Sequence, residues 1–202
     1  MFRNPVDMVY SLHSQLLYVA EETESDFERA WRLQDRRSRG LDLPPRIRSP
    51  LLVQYAQVGQ FGTQVQRLLS CFPREQVKLI LYDDFSASPQ RVYDEVLDFL
   101  GTSHDRRTEF PRINENKATR IAWLRRFLRK PPPALRAAVR SFKRSVGDKG
   151  VLAVKKRIVG LNTIRERRPP LSPELRAELA ATFREEVALL GQLVHRDLSH
   201  WV

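Results

Sequence analysis

Apolar side chains recur every three or four residues along much of the chain, and several of these runs begin with a helix-capping pattern. Asn4-Pro5 precedes the first run, an acidic stretch ending at Asp26 precedes the second, and Ser172-Pro173 precedes the last. Asn, Asp and Ser are favoured N-cap residues, and proline suits the first helical position. The pattern therefore predicts three helices that start at these points.

The middle of the chain changes from helical to strand-like spacing and back. Residues 52–69 form one long amphipathic pattern, and Ser88-Pro89 opens another. Between them, residues 77–82 are a short, mostly apolar run typical of a strand in a covered parallel sheet, and residues 83–85 are predicted as a turn. This order of helix, strand and helix indicates the α/β class.

One strand cannot form a sheet, because its backbone N–H and C=O groups need partners. Phe2, immediately before Arg3-Asn4-Pro5, has the position of the last residue of a second strand. We therefore expect a single, partial α/β domain over residues 1–202, with a parallel sheet flanked by helices. We expect it to be N-terminally truncated and for that reason helix-dominated.

Positive charge is concentrated in the C-terminal half. The 202 residues carry a net charge of +11, and residues 103–170 contain 20 Lys and Arg against 5 Asp and Glu. This basic part, predicted as mostly helical from about residue 103, is either a solvated helical face or a surface that binds anions. Composition alone does not choose between nucleic acid, phosphate or sulfate esters, acidic glycans and anionic lipid.

Cysteine content and hydropathy exclude several classes of protein. Cys71 is the single cysteine, which excludes an internal disulfide and a cysteine-rich metal site. No apolar stretch approaches the roughly 20 residues that span a bilayer, and residues 1–5 lack a signal-peptide pattern. From these absences we expect a cytoplasmic protein without a transmembrane segment.

The segment from Arg3 to Ser11 carries the most informative chemistry. Arg3 stands at the predicted strand end, and Ser11 lies two turns into the following helix, on the face that also carries Asn4 and Asp7. A guanidinium, a hydroxyl and a helix N-terminus together suit a bound phosphate. The same pattern also fits an ordinary helix cap with a surface charge.

The order of the motifs resembles the PAPS-dependent sulfotransferase family, whose members use 3′-phosphoadenosine 5′-phosphosulfate (PAPS). The Arg-Asn-Pro-x-Asp-x-x-x-Ser segment at residues 3–11 is similar to the family's 3′-phosphate-binding motif. Residues 55–101 resemble the downstream helix, strand and helix, and residues 171–201 resemble the C-terminal end of many bacterial members. The resemblance implies a P-loop-like α/β fold and sulfuryl transfer from PAPS to a hydroxyl or amine, with no metal.

Residue by residue, the resemblance assigns nucleotide contacts to four positions. Arg3 and Ser11 match the positions that contact the 3′-phosphate. Lys117 and Arg120 lie in a region where members often place a loop over the nucleotide, although a solvated helix start explains them equally well.

Two parts of the family pattern have no counterpart among these residues. The Gly-rich, Lys-bearing loop for the 5′-phosphosulfate and the His or Glu base are expected upstream of Arg3, and no segment here resembles them. His13 is the nearest candidate base, but a histidine on a helix face is more often a packing or surface residue. We therefore assign no catalytic residue and expect this chain alone to be inactive or impaired.

The predicted partner is a hydroxyl- or amine-bearing acceptor, such as an acidic glycan that the basic segment would attract. The alternative function is a non-catalytic basic module that binds nucleic acid or acidic glycan. Nucleic acid is the less favoured partner, because residues 106–168 contain no recognisable reader motif and their few aromatic residues fit a core stripe.

Overall fold

The computed structural model describes residues 1–111, the strands at 117–119 and 163–165, and residues 168–202. Helices dominate these ranges, and none of the helices in them is long and apolar enough to cross a membrane. Most of the basic part that is predicted as helical from about residue 103 lies outside the described residues.

In chain order, the helices are α1 (Pro5–Tyr18), α2 (Phe27–Arg32), α3 (Gln34–Ser38), α4 (Tyr55–Val58), α5 (Phe61–Cys71), α6 (Tyr82–Ala87), α7 (Pro89–Leu100) and α8 (Pro173–Val194). Short 3-10 helices lie at Pro50–Val53, Arg74–Gln76 and Ser199–Trp201. Strands β1 (Lys117–Thr119) and β2 (Thr163–Arg165) pair in antiparallel register, with Ala118 opposite Ile164.

The three predicted helix starts are confirmed. The side-chain oxygens of Asn4, Asp26 and Ser172 each accept a hydrogen bond from a backbone N–H of the first helical turn, at 2.9, 2.8 and 3.2 Å. Each bond satisfies one of the N–H groups that a helix leaves unpaired at its start. At the other end of a helix, Gly101 stops α7 with a φ of 64°, a conformation that glycine adopts without strain.

The core forms where α8 packs against α5 and α1. The predicted period of α8 is confirmed, because a buried residue recurs every third or fourth position along it. These buried apolar residues are Leu175, Leu179, Phe183, Val187 and Leu190. The Phe183 ring meets Trp31 of α2 edge to face, with 6.1 Å between ring centroids, so the short α2 joins the same core.

The long helix predicted over residues 52–69 is wrong, because the chain divides there into a 3-10 helix, α4 and α5. Gln54 and Gln60, at the two breaks, have ψ values of 69° and 63°, which are not helical. Gly59 lies so close to α8 that a Cβ at this position would stand 2.3 Å from the Phe183 ring. Packing against α8 therefore overrides the local helical pattern.

The strand predicted at residues 77–82 and the turn at 83–85 are also wrong. Among the described residues, this run pairs only with Phe2, which donates to Ile80 O at 2.7 Å and accepts from the Tyr82 N–H at 2.6 Å. The result is a single parallel bridge rather than a ladder. Tyr82 begins α6, which includes residues 83–85. Phe2 thus lies beside the run as expected, and a parallel sheet stays a prediction.

A buried carboxylate organises the turn after α1. Glu22 and Arg37 are only 3% and 2% exposed, and the guanidinium donates to both carboxylate oxygens at 2.7 and 2.9 Å. The Tyr55 hydroxyl donates to the same carboxylate at 2.8 Å, as do the backbone N–H groups of Thr23 and Glu24. Burial alone raises the pKa of a carboxyl group, but these donors hold the pKa of Glu22 below its ordinary value.

We expect Arg37→Met to lower the free energy of unfolding by about 3–5 kcal/mol, because it leaves the Glu22 carboxylate buried without its cation. Urea denaturation measures the change. Arg36→Met is the matched control on the same helix, since Arg36 is exposed and pairs with Asp42 at the surface. Equal losses in the two variants would contradict the structural role assigned to the buried pair.

Candidate functional site

Three polar side chains follow one side of the chain as it enters α1. Arg3, Asp7 and Ser11 are spaced by four residues, close to one helical turn. The Arg3 guanidinium stands 4.0 Å from the Asp7 carboxylate, and both side chains are partly exposed. The two residues that the sequence assigns to a phosphate, Arg3 and Ser11, therefore flank one carboxylate on one side of α1.

Arg3 and Ser11 both retain hydrogen-bond donors for a ligand. The Arg3 guanidinium lies 5.3 Å from the centroid of the Tyr82 ring, a cation–π distance, and its side chain is 43% exposed. Ser11 is half-buried, and its hydroxyl makes no hydrogen bond to any residue that the structure describes.

A second guanidinium reaches the same carboxylate from α8. Arg176 donates to Asp7 Oδ1 at 3.1 Å, whereas Arg3 approaches Oδ2. The charges of these three side chains sum to +1, and they lie at the end of α1 where the helix dipole is positive. This arrangement favours a bound anion.

The C-terminal 3-10 helix holds the start of α1. Asn4 Nδ2 donates to Trp201 O at 2.6 Å, and the indole N–H of Trp201 donates to Asp83 at 2.8 Å. Burial raises the pKa of Asp83, but hydrogen bonds from Trp201 and His200 outweigh it and hold the pKa below its ordinary value. The backbone next to Arg3 is therefore held in place by the hydrogen bond from Asn4 to the C-terminal 3-10 helix.

His13 is a packing residue. It is 0% exposed, with Nε2 2.8 Å from Glu24 O and Nδ1 2.7 Å from the Arg168 guanidinium. Arginine only donates, so Nδ1 accepts and Nε2 carries the hydrogen that goes to the carbonyl. Burial and the positive charge of Arg168 lower the pKa of His13, and they outweigh the hydrogen bond to the Glu24 carbonyl, which raises it. Both nitrogens are used, so neither is available to a substrate.

Arg168 connects the chain before α8 to α1. Its guanidinium donates to Tyr10 O at 2.7 Å and to Ser14 Oγ at 2.6 Å, in addition to His13. It also lies 4.0 Å from the centroid of the Tyr10 ring, whose hydroxyl donates to Pro169 O at 2.8 Å. We refer to Tyr10, His13, Ser14 and Arg168 as the Arg168 cluster.

The two remaining predicted nucleotide contacts differ in what the structure describes. Lys117 begins β1, which pairs with β2 and lies against α1. The solvated helix start weighed for Lys117 is therefore wrong, because the residue belongs to a strand. Arg120 lies outside the described residues. The assignment of both residues to the nucleotide stays a prediction.

The sulfotransferase-domain family model matches residues 1–144, a range that includes Arg3, Ser11 and all of α1. The chain belongs to the sulfotransferase family. It is similar to the crystal structure of a sulfotransferase from Alicyclobacillus acidocaldarius, with 28% sequence identity and a TM-score of 0.60. The match covers 100% of this chain and 55% of that one, so the chain spans about half the length of that sulfotransferase. No curated protein matches it.

Sequence reasoning missed Arg168 and Arg176. Arg168 falls within the basic segment, and Arg176 falls within the regular apolar period of α8. Their positions in the sequence therefore do not distinguish them from neighbouring solvated arginines. They reach Tyr10 and Asp7 of α1 from 158 and 169 residues away along the chain. Only the docking of α8 on α1 brings these groups together.

We expect the contribution of His13 to stability to be lost as the pH falls below about 6.5. The unfolded chain protonates His13 there, whereas the native ring, buried and bound to Arg168, stays neutral to lower pH. His13→Asn removes the titrating group, so its free energy of unfolding should change less than that of the parent between about pH 7 and pH 5. Urea denaturation across this range measures both slopes.

Other titrating groups do not obscure that comparison. Glu22 also makes the free energy of unfolding fall as the pH falls, but its contribution to stability is lost only below about pH 4.5. The hydrogen bond to Asp98 raises the pKa of exposed His104, which acts in the opposite direction and is present in both proteins. Parallel slopes for the parent and His13→Asn would show that the ring does not titrate as described.

Proposed function

We propose that this chain supplies the part of a PAPS-dependent sulfotransferase that anchors the nucleotide. The observation that carries the proposal is the placement of Arg3 and Ser11 on one side of the start of α1, in a member of this family. Arg3 would bind the adenosine 3′-phosphate through charged donors, and Ser11 would add a neutral one.

The described residues fit that phosphate. The nearest carboxylate oxygen to the Arg3 guanidinium is 4.0 Å away, too long for a hydrogen bond, so its N–H groups remain available. The Ser11 hydroxyl has no partner in the part of the chain that the structure describes. Arg176 adds positive charge beside Asp7 and offsets the repulsion that this carboxylate exerts on a phosphate.

When bound, PAPS supplies the sulfuryl group that sulfotransferases of this kind transfer to a hydroxyl or amine. The 3′-phosphate is remote from the reacting sulfur, so Arg3 and Ser11 act by orienting the donor. We assign no described residue as the base or as a ligand of the 5′-phosphosulfate. We therefore propose that this chain alone binds the nucleotide and transfers little or no sulfuryl group.

The acceptor proposal rests on charge. Residues 103–170 carry 20 Lys and Arg against 5 Asp and Glu, an excess that attracts an acidic acceptor such as an acidic glycan. We propose a cytoplasmic location on the sequence grounds given above.

We expect the chain to bind 3′-phosphoadenosine 5′-phosphate (PAP), the desulfated nucleotide, in a calorimetric titration. Arg3→Ala should weaken binding roughly 10- to 100-fold, because a hydrogen bond to a charged group contributes about 1.5–3 kcal/mol. Ser11→Ala should weaken it by less, roughly two- to tenfold, because it removes a neutral donor.

Arg39→Ala is the matched control for lost charge, because Arg39 is exposed and pairs with Asp35 rather than with Asp7. Its PAP affinity should equal that of the parent. Absence of PAP binding by the parent, or equal affinity of the parent and Arg3→Ala, would refute the nucleotide site. Binding to heparin that falls steeply with salt, and that neither PAP nor Arg3→Ala affects, would instead support the basic module.

A further inference from the structure

The first turn of α8 and the segment that leads into α8 each contact α1. Arg168 contacts the middle of α1, within the Arg168 cluster. Arg176 reaches Asp7 in the first turn of α1. Ser11 follows Tyr10 and lies between Asp7 and Ser14 along the helix, so both contacts are near the residue proposed to bind the nucleotide.

The contacts of Arg168 require a guanidinium. Nη1 donates to Tyr10 O and Ser14 Oγ, and Nη2 donates to His13 Nδ1. The guanidinium carbon Cζ lies 4.0 Å from the centroid of the Tyr10 ring. A lysine ammonium has neither the planar fork nor the flat face that this geometry uses. The contacts therefore hold the Arg168 side chain, and the backbone attached to it, in one position on α1.

The same position affects the strand pair. Strand β2 ends at Arg165, three residues before Arg168, and pairs with β1, which lies against α1. Fixing Arg168 thus limits where both strands and the entry to α8 lie relative to the helix. Strand β1 and the entry to α8 both border the helix that carries Ser11.

We propose that Arg168 is a positioning residue for the nucleotide: it holds residues 168–172, which lead into α8, against α1, so that the surroundings of Ser11 have the shape that binds the 3′-phosphate. This inference rests on the proposed function. It assigns to Arg168 no contact with the nucleotide.

A double-mutant cycle of Arg168→Ala and Ser14→Ala tests, without nucleotide, whether Arg168 holds the residues before α8 on α1. Ser14→Ala is a small change, because it removes only a half-buried hydroxyl that accepts a hydrogen bond from Arg168. We expect the decrease in melting temperature of the double variant to be smaller than the sum of the two single decreases. Strict additivity would show that the contact contributes nothing and would overturn the proposal.

The positioning role is tested by PAP titration at a temperature where circular dichroism shows every variant folded. We expect Arg168→Ala to weaken PAP binding about tenfold, and Arg168→Lys, which keeps the charge, to fail to restore it. Val92→Ala provides a matched loss of stability, because Val92 is buried in α7 away from the Arg168 cluster, and it should leave PAP affinity unchanged.

The outcomes separate this inference from the proposed function. If the parent does not bind PAP, the proposed function fails, and the cycle still decides whether Arg168 holds the segment on α1. If the parent binds PAP and Arg168→Ala binds it equally well, the positioning role fails while the proposed function stands. Recovery of full affinity by Arg168→Lys would overturn the proposal, because charge alone would then account for the effect.

Discussion

A buried ion pair between Glu22 and Arg37 constrains how α1 lies in this protein. The Glu22 carboxylate also accepts from the backbone N–H of Glu24, and the carbonyl oxygen of Glu24 accepts from His13. The second nitrogen of His13 accepts from Arg168. One continuous series of hydrogen bonds therefore runs from the core, through the turn after α1, to the segment that enters α8.

This series determines orientation more than stability. Two charges lose their hydration when they are buried, and their attraction offsets much of that cost only if every remaining donor and acceptor is satisfied. Glu22 meets that condition through Arg37, Tyr55 and two backbone N–H groups. Because the bonds form in only one arrangement, the C-terminal end of α1 has little freedom. The other end is held by the bond from Asn4 to Trp201.

A helix held at both ends suits the binding of an anion. Arg3 and Ser11 already present their donors on one side of this helix, so the nucleotide proposed above would lose less free energy in ordering the protein. Arg176 and Arg168 come from the far end of the chain and border the same helix. The described part of this member of the sulfotransferase family therefore suits the phosphate binding proposed above. Bond breaking needs a base and a second anion site that we assign to none of its residues.

The sequence by itself determined the features that depend on near neighbours. The caps at Asn4, Asp26 and Ser172, the buried stripe of α8 and the motif from Arg3 to Ser11 all use contacts within a few residues, so local patterns reveal them. The order of this motif and the later segments also indicated the family, which the match to the family model confirms.

Only the tertiary structure decided the rest. Local periodicity predicts one helix over residues 52–69, but the chain breaks at Gln54 and Gln60, and Gly59, beside the second break, lies close to the Phe183 ring of α8. An apolar run such as residues 77–82 forms a strand only when another strand pairs with it. Among the described residues, the pairing is a single bridge to Phe2. Arg168 looks like its neighbours in the sequence, because a guanidinium acquires a role only from the acceptors that folding places around it.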